Sequence, residues 1–281
     1  METQRSFEAS GPAGPHNVTY MDWGDTGNPD VLFCVHGLTR NSRDFDSISK
    51  VLCEDYRVIC LDVAGRGDSD WLSNPEDYGY PQYMADALAL FEHLGCDRVD
   101  WLGTSMGGIL GMMIAAQTAT PVRRLIVNDI GPFIPSGALK RISAYLSTRP
   151  VFPSVDAFET YLRKIHAPFG PLTDEQWHHL ATHSARRIAP DHWDFKYDPA
   201  IAIPFATMTD QDVDLWEIWD AISCPTLLLR GANSDVLAYD TAEQAQLRGP
   251  RATLRQFDNI GHAPALMAED QIDGIRNWLC R

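Results

Sequence analysis

The residues with the clearest chemical potential lie in a short run from Val99 to Gly108. This run is an apolar stretch, then the G-x-S-x-G pattern Gly103-Thr-Ser105-Met-Gly107, then a second apolar stretch. A serine on a sharp turn between a strand and a helix exposes its hydroxyl at the positive end of that helix. Glycines two residues on either side leave room for the strained turn. The pattern predicts Ser105 as a nucleophile, and the alternative is a structural glycine-rich turn.

A serine hydroxyl is a weak nucleophile, so it needs a base and an acid that orients the base. His262 follows a predicted strand at Thr253–Phe257, and Asp235 follows a predicted strand at Thr226–Arg230 and a glycine turn. In one arrangement of this chemistry the chain order is serine, acid, histidine. The sequence therefore predicts a triad of Ser105, Asp235 and His262.

A second carboxylate competes for the role of the acid. Asp129 directly follows a predicted strand at Leu125–Asn128, the next strand after Ser105. As a turn residue, Asp129 could instead bond its own backbone before Gly131-Pro132. We favour Asp235 as the acid and keep Asp129 as the alternative.

Acyl transfer also requires donors for the oxyanion that develops on the substrate carbonyl. One donor is the N–H after the nucleophile, which belongs to Met106, and the second comes from a loop after an earlier strand. The apolar run Val31–Val35 ends in His36-Gly37-Leu38, so Leu38 is the predicted second donor. We expect His36 to brace this loop and not to act as the catalytic base.

The elements that must position these residues alternate between short apolar strands and helices. Several strands are continuous apolar runs, which is typical of a sheet that is covered on both faces. The alternation predicts an α/β fold with a mostly parallel central sheet flanked by helices. Ser105, Asp235 and His262 each follow a strand, so they should meet at the carboxyl edge of that sheet.

Residues 132–213 interrupt this alternation and predict an inserted, mainly helical cap over the carboxyl edge. The segment is rich in aromatic residues and nearly neutral, with 8 basic and 9 acidic side chains. Such a segment suits the wall of an apolar pocket. The core domain is then formed by residues 16–131 and 214–281, and residues 1–15 are expected to be a flexible tail.

Composition limits the classes of partner. The formal net charge is −15, which argues against binding to nucleic acid and to anionic membrane surfaces. The six cysteines are scattered without a C-x-x-C pair, which favours buried free thiols in a reducing cytoplasm. We therefore expect a cytoplasmic protein whose partners are a small-molecule ester-type substrate and water. The sequence leaves the oligomeric state open.

Two other groups of side chains invite a functional interpretation. His178, His179 and His183 share a predicted helix, but no H-E-x-x-H motif or spaced ligand set accompanies them. We expect a solvated helix face, no metal and no cofactor. Arg40 follows the oxyanion loop, where an exposed surface arginine is a simpler interpretation than a contact with an anionic substrate.

From about Val18 to Trp278 the chain resembles the α/β-hydrolase superfamily, and specifically the small capped bacterial hydrolases. The matching motifs are His36-Gly37, the Asp62–Asp70 loop, Gly103–Gly108, Gly231–Asp235 and Gly261-His262. Some members of this fold place the acid where Asp129 stands. Relatives include carboxylesterases, lactone hydrolases, hydrolases of carbon–carbon bonds and cofactor-free haloperoxidases. Dehalogenases and epoxide hydrolases use an aspartate nucleophile, so Ser105 argues against both.

The function expected from these features is hydrolysis of a carboxylic ester or lactone of a small, largely apolar substrate through an acyl-enzyme on Ser105. One alternative is hydrolysis of a carbon–carbon bond in a ring-fission product, since these enzyme classes share the same triad. Another, from a different class, is a non-catalytic receptor that binds a small molecule in the same pocket.

Overall fold

The protein is described by a computed structural model that covers residues 2–206 and 210–280. Its strands are β1 (Glu2–Gly11), β2 (Gly14–Trp23), β3 (Val31–Val35), β4 (Arg57–Leu61), β5 (Val99–Thr104), β6 (Val122–Asn128), β7 (Phe133–Ile134), β8 (Ala185–Ala189), β9 (His192–Phe195), β10 (Val213–Asp214), β11 (Thr226–Gly231) and β12 (Thr253–Phe257). Its α-helices are α1 (Asp46–Leu52), α2 (Tyr80–Leu94), α3 (Met106–Ala115), α4 (Ser136–Leu146), α5 (Val155–Ile165), α6 (Asp174–Ser184), α7 (Ala202–Ala206), α8 (Trp216–Ala221), α9 (Tyr239–Ala245) and α10 (Glu269–Leu279).

An eight-stranded sheet forms the centre of the molecule, in the order β1-β2-β4-β3-β5-β6-β11-β12. The strands from β4 to β12 in this order run parallel, while β1 and β2 are antiparallel to their neighbours. The predicted α/β fold with a mostly parallel sheet is confirmed. Because β3, β5, β6, β11 and β12 are parallel, their carboxyl ends lie at one edge.

Both faces of the sheet are buried, which explains its continuous apolar strands. In β3, Phe33 and Val35 face a core cluster that includes residues of α2 and α3, whereas Leu32 and Cys34 face a second cluster with α1 and α10. A strand sandwiched in this way needs apolar side chains at every position. Across residues 2–206 and 210–280, none of the helices combines the length and apolar character needed to cross a bilayer.

The N-terminal segment is not the flexible tail that its polar composition suggested. Strand β1 pairs with β2 along its whole length, from Glu2 opposite Trp23 to Gly11 opposite Gly14. It is the edge strand, so most of its side chains face solvent and few need to be apolar. The backbone ladder and a stacking contact between Phe7 and His93, with ring centroids 5.0 Å apart, hold it in place. The prediction of a tail over residues 1–15 is therefore wrong for the residues the structure describes.

The segment between β7 and β10 holds helices α4 to α7 and the β8–β9 hairpin, and this hairpin was not predicted from the sequence. Strands β7 and β10 pair at its base, where Val213 lies opposite Ile134. The N–H of Leu215 also donates to the carbonyl oxygen of Pro132 at 2.7 Å. The two ends of the predicted insertion therefore meet, and residues 132–213 are called the insertion below.

The six cysteines are all free thiols. Cys34, Cys60 and Cys224 are buried in or beside strands, whereas Cys280 is exposed at the end of α10. The expectation of buried thiols therefore holds at the strands and does not hold at Cys280.

Candidate active site

Ser105 lies on the turn between β5 and α3, with φ 52° and ψ −114°. A positive φ is strained for a residue with a side chain. A Cβ atom at Gly103 would lie 2.1 Å from the carbonyl oxygen of Gly107, and one at Gly107 would lie 2.1 Å from that of Val35. Both glycines are therefore required for the turn to pack against its neighbours.

His262 lies in the loop after β12, and its ring touches two of the predicted site residues. Nε2 is 3.0 Å from Oγ of Ser105, and Nδ1 is 2.8 Å from Oδ2 of Asp129. An ionised carboxylate can only accept hydrogen bonds. Nδ1 of His262 therefore carries the hydrogen and donates a hydrogen bond to Asp129. Nε2 is then left to accept the hydrogen bond of the Ser105 hydroxyl.

Asp129 directly follows β6, is fully buried and has φ 56°. Its Oδ1 accepts the N–H of Gly231 at 2.7 Å, and its Oδ2 accepts the hydroxyl of Ser234 at 2.6 Å as well as the bond from His262. Buried carboxylates are stable only when such donors replace water. The loop after β11 therefore supplies the groups that hold the carboxylate of Asp129 in place.

Asp235 does not contact His262, and the preferred choice of acid in the sequence analysis is corrected here. Its carboxylate is half-exposed and pairs with the guanidinium of Arg141 in the insertion, with Nη2 of Arg141 2.8 Å from Oδ1. Strands β6 and β11 are neighbours, so both aspartates follow strands that end at the same place. Gly231 and Ser234 bind Asp129, and the loop then carries Asp235 outward.

The two predicted oxyanion donors lie beside Ser105. Leu38 and Met106 both line the cavity that contains Ser105, and neither N–H has a hydrogen-bond acceptor within residues 2–206 and 210–280. A Cβ atom at Gly37 would lie 3.7 Å from Cβ of Ser105, so the loop approaches the nucleophile closely. The arrangement leaves both N–H groups available to a ligand oxygen.

His36 braces the oxyanion loop from below and lies outside the cavity. Its Nε2 accepts the N–H of Val63 at 3.0 Å, and its Nδ1 lies 2.7 Å from the carbonyl oxygen of Gly37. Burial lowers the pKa of His36 to about 3, so its ring stays neutral. His36 therefore joins the loop after β3 to the chain at Val63.

Arg66, which the sequence analysis did not single out, connects both oxyanion residues. Its Nε donates to the carbonyl oxygen of Leu38 at 2.9 Å, and its Nη2 lies 3.7 Å from Sδ of Met106. Nη1 donates to the carbonyl oxygen of Ala64 at 2.8 Å and to the hydroxyl of Tyr83 at 2.7 Å. The side chain is fully buried, and within the described ranges no carboxylate lies within ion-pair distance of it.

A cavity of about 320 Å³ opens above Ser105 and His262, between the sheet edge and the insertion. Most of its wall is aliphatic or aromatic. Contributors from the insertion include Leu139, Ile142, Ile165 and Phe169. The insertion therefore contributes part of the cavity wall, and a substrate would lie mostly against apolar groups.

The lining of the cavity also includes the polar side chains of Arg40, Arg141 and His166. Arg40 is almost fully buried and pairs with Asp44 through two bonds of 2.9 and 2.6 Å, so it is not the exposed arginine that we expected. Burial lowers the pKa of His166 well below its usual range, and the nearby charges of Arg40, His262 and Arg141 act in the same direction. His166 is therefore a neutral polar group on the cavity wall.

A histidine cluster lies away from this cavity. The ligand atoms of Asp46, His179 and His183 lie within 4.8 Å of one another. The carboxylate of Asp46 already accepts bonds from the guanidinium of Arg43, and Nε2 of His179 lies 3.0 Å from the carbonyl oxygen of Arg43. The guanidinium thus occupies the position beside the carboxylate that a cation would take, so these residues fit a metal poorly.

Comparison with known proteins places the chain in a family. The model of the alpha/beta hydrolase family matches residues 31–273. A 3-hydroxybutyrate-oligomer hydrolase from Cupriavidus necator is 42% identical over 269 residues, which cover 93% of this chain and 92% of that protein. An N-formylmaleamate deformylase from Pseudomonas putida is 30% identical over 276 residues, which cover 96% and 94% of the two chains.

Solved structures agree with this family. A hydrolase from Rickettsia typhi superposes with a TM-score of 0.93 at 33% identity, covering 100% of this chain and 99% of that one. An α/β hydrolase from Novosphingobium aromaticivorans has a TM-score of 0.87 at 34% identity, with 99% and 98% covered. The family model and the superposed structures agree, and the chain belongs to the α/β-hydrolase family.

Proposed function

We propose that this protein is a serine hydrolase that cleaves carboxylic esters through an acyl-enzyme on Ser105. The observation that carries the proposal is the unbroken hydrogen-bonded array from Ser105 through His262 to Asp129, beside two N–H groups that have no acceptor in the part of the chain that the structure describes. A nucleophile, a base, an orienting acid and an oxyanion site are the four parts that acyl transfer requires.

In the first half of the reaction, Nε2 of His262 takes the proton of the Ser105 hydroxyl as Oγ attacks the ester carbonyl carbon. The carbonyl oxygen becomes an oxyanion and accepts hydrogen bonds from the N–H groups of Leu38 and Met106. The tetrahedral intermediate then expels the alcohol oxygen, which receives the proton from His262. The products of this half are the free alcohol and an ester of Ser105.

In the second half, water replaces the alcohol. His262 takes a proton from the water as its oxygen attacks the acyl carbon, and a second oxyanion forms in the same donor pair. When this intermediate collapses, Oγ of Ser105 leaves and recovers its proton from His262, and the carboxylic acid is released. Asp129 keeps Nδ1 protonated throughout and stabilises the imidazolium that forms twice per turnover.

The substrate we propose is a short ester of a hydroxy acid, such as a 3-hydroxybutyrate dimer or trimer. The cavity of about 320 Å³ is of a size for a small ligand, and its mainly aliphatic wall suits methyl and methylene groups. The relative with 42% identity over nearly the full length is named a 3-hydroxybutyrate-oligomer hydrolase, and the units of such an oligomer are joined by esters.

A hydrolysis screen tests this proposal. It would compare 3-hydroxybutyrate dimer, p-nitrophenyl butyrate, lactones and ring-fission dienes, with Ser105→Ala as the blank. We expect Ser105-dependent hydrolysis of the esters, and a loss of roughly 10³-fold or more in the variant while its fold is retained.

Three results would contradict it. Turnover of the dienes with esters left intact would favour carbon–carbon bond hydrolysis. Tight binding of a ligand without release of product would favour a receptor. Wild-type turnover by the folded Ser105→Ala variant would exclude Ser105 as the nucleophile.

A further inference from the structure

Arg141 on α4 places a guanidinium on the wall of the catalytic cavity. Its Nε and Nη2 donate to the carboxylate of Asp235, and its Nη1 has no hydrogen-bond partner among the residues described. Both members of the pair are roughly half exposed, at 45% for Arg141 and 49% for Asp235. The Nη1 group of Arg141 therefore has two N–H donors available for a ligand. Its partner Asp235 is partly solvated by water.

The surroundings of Arg141 are unusual for this acidic chain. The net charge is −15, yet in the described part of the chain no aspartate or glutamate is among the residues that line the cavity. Arg40, Arg141, His166 and His262 do line it. As far as the structure describes the chain, the lining thus presents two guanidinium groups and no carboxylate, although the carboxylates of Asp44 and Asp235 pair with those groups from outside the lining.

Arg40 and Arg141 differ in the strength of the ion pair that each one forms with an aspartate. Arg40 is almost fully buried, and its fork binds both oxygens of Asp44. A pair as exposed as Arg141 and Asp235 is weak, because water competes for both charges. A carboxylate held inside an apolar cavity would meet the Arg141 guanidinium with less competition from water. Arg141 is therefore the arginine able to bind a ligand.

We propose that Arg141 recognises a carboxylate on the substrate, and that the enzyme prefers esters with a free carboxylate over neutral esters of the same shape. This inference rests on the proposed ester hydrolysis and adds the residue that selects among esters. His166 also lines this cavity, and its ring carries one further N–H donor. Asp235 holds the Arg141 guanidinium in place through the contacts of Nε and Nη2 until the substrate arrives.

A matched pair of substrates tests the preference. The 3-hydroxybutyrate dimer carries a terminal carboxylate, and its terminal carboxamide has the same scissile ester without the charge. We expect the wild-type protein to cleave the dimer acid with a kcat/KM at least about tenfold above that of the amide. In Arg141→Gln this ratio should fall by roughly tenfold or more, and Arg141→Lys should recover part of it because the charge is kept.

Arg163→Gln is the matched control. Arg163 is another insertion arginine paired with carboxylates, those of Glu159 and Asp174, and it lies outside the cavity lining. This variant should leave the acid-to-amide ratio unchanged. Melting curves of all variants would show whether each protein is folded under the conditions in which the acid-to-amide ratio of kcat/KM is measured.

A second measurement does not depend on turnover. In Ser105→Ala protein, calorimetric titration with the dimer acid should give a dissociation constant at least about tenfold weaker when Arg141→Gln is added, and unchanged when Arg163→Gln is added. Equal binding by both double variants, or equal losses on acid and amide, would overturn the role of Arg141 while leaving ester hydrolysis intact. Failure of the wild-type protein to cleave either substrate would instead contradict the proposed function, and the titration alone would then decide on Arg141.

Discussion

Oδ2 of Asp129 accepts hydrogen bonds from Nδ1 of His262 at 2.8 Å and from the Ser234 hydroxyl at 2.6 Å. The acid that contacts the histidine therefore follows β6, and the loop after β11 holds it by hydrogen bonds. This relationship separates the two candidate acids, because Asp235 pairs with Arg141 and does not contact His262.

Replacement of each aspartate by asparagine should have very different effects on catalysis. Asp129→Asn should lower kcat on p-nitrophenyl butyrate by roughly 10³–10⁴-fold, because an amide can bind the wrong tautomer of His262 and cannot stabilise the imidazolium. Asp235→Asn should change it by less than about fivefold, since the variant alters only an exposed ion pair. Steady-state kinetics with circular dichroism of each variant would check this, and equal losses in the two variants would contradict the assignment of Asp129.

Arg66 should act on catalysis by positioning the oxyanion loop. Arg66→Lys keeps the charge but cannot reach Leu38, Ala64 and Tyr83 together, so we expect kcat to fall by roughly tenfold to a hundredfold with a smaller change in KM. Arg149→Lys is a suitable control, because Arg149 also bonds backbone oxygens, those of Phe195 and Tyr197, but lies outside the cavity lining. A purely structural role for Arg66 would lower stability in both variants and leave kcat per folded molecule unchanged.

The glycines around the nucleophile should tolerate no side chain. In Gly107→Ala the new Cβ would lie 2.1 Å from the carbonyl oxygen of Val35, so the free energy of unfolding should drop by more than about 4 kcal/mol, or the protein should fail to fold. Gly137→Ala on α4 meets no atom within 4 Å and should stay within about 1 kcal/mol of the wild type. Urea denaturation of both variants measures the difference, and a stable Gly107→Ala protein would show that the turn can relax.

His36 should make stability depend on pH. Its pKa is about 3 in the folded protein, below its ordinary value of 6.5, so below pH 6.5 the unfolded chain takes up a proton that the folded protein does not. The neutral His36 therefore contributes fully to the free energy of unfolding above pH 6.5. This contribution is lost as the pH falls towards 3, at roughly 1.4 kcal/mol per pH unit. Asp62 acts in the opposite direction, because burial raises its pKa to about 6 and its contribution grows as the pH falls below 6.

The His36 contribution can be isolated by difference. His36→Gln keeps an acceptor for the Val63 N–H but does not titrate, so between pH 6 and 4 it should lose less stability than the wild type, by roughly 1 kcal/mol per pH unit. Urea denaturation of both proteins at pH 6, 5 and 4 measures the two slopes. Parallel slopes would mean that His36 is protonated in the folded protein.

Much of the fold could be predicted because its signals are local. Continuous apolar runs such as Val31–Val35 are typical of strands covered on both faces, and the structure places this strand in the middle of the sheet. Strand β1 was missed for the opposite reason. An edge strand is stabilised by its backbone ladder, which leaves little trace in hydropathy, and only Ala9 of its side chains is buried.

The sequence by itself predicted the candidate nucleophile Ser105, the candidate base His262 and the loop at His36-Gly37-Leu38. Each of these is set by a few adjacent residues whose backbone needs are local, as the close approaches at Gly103 and Gly107 illustrate. Tertiary structure alone decided which aspartate contacts His262, how Arg66 supports the loop, and that Arg141 and His166 share the cavity. Those relationships join residues far apart in the chain, and their distances depend on strand order and on how the insertion packs, which no local pattern encodes.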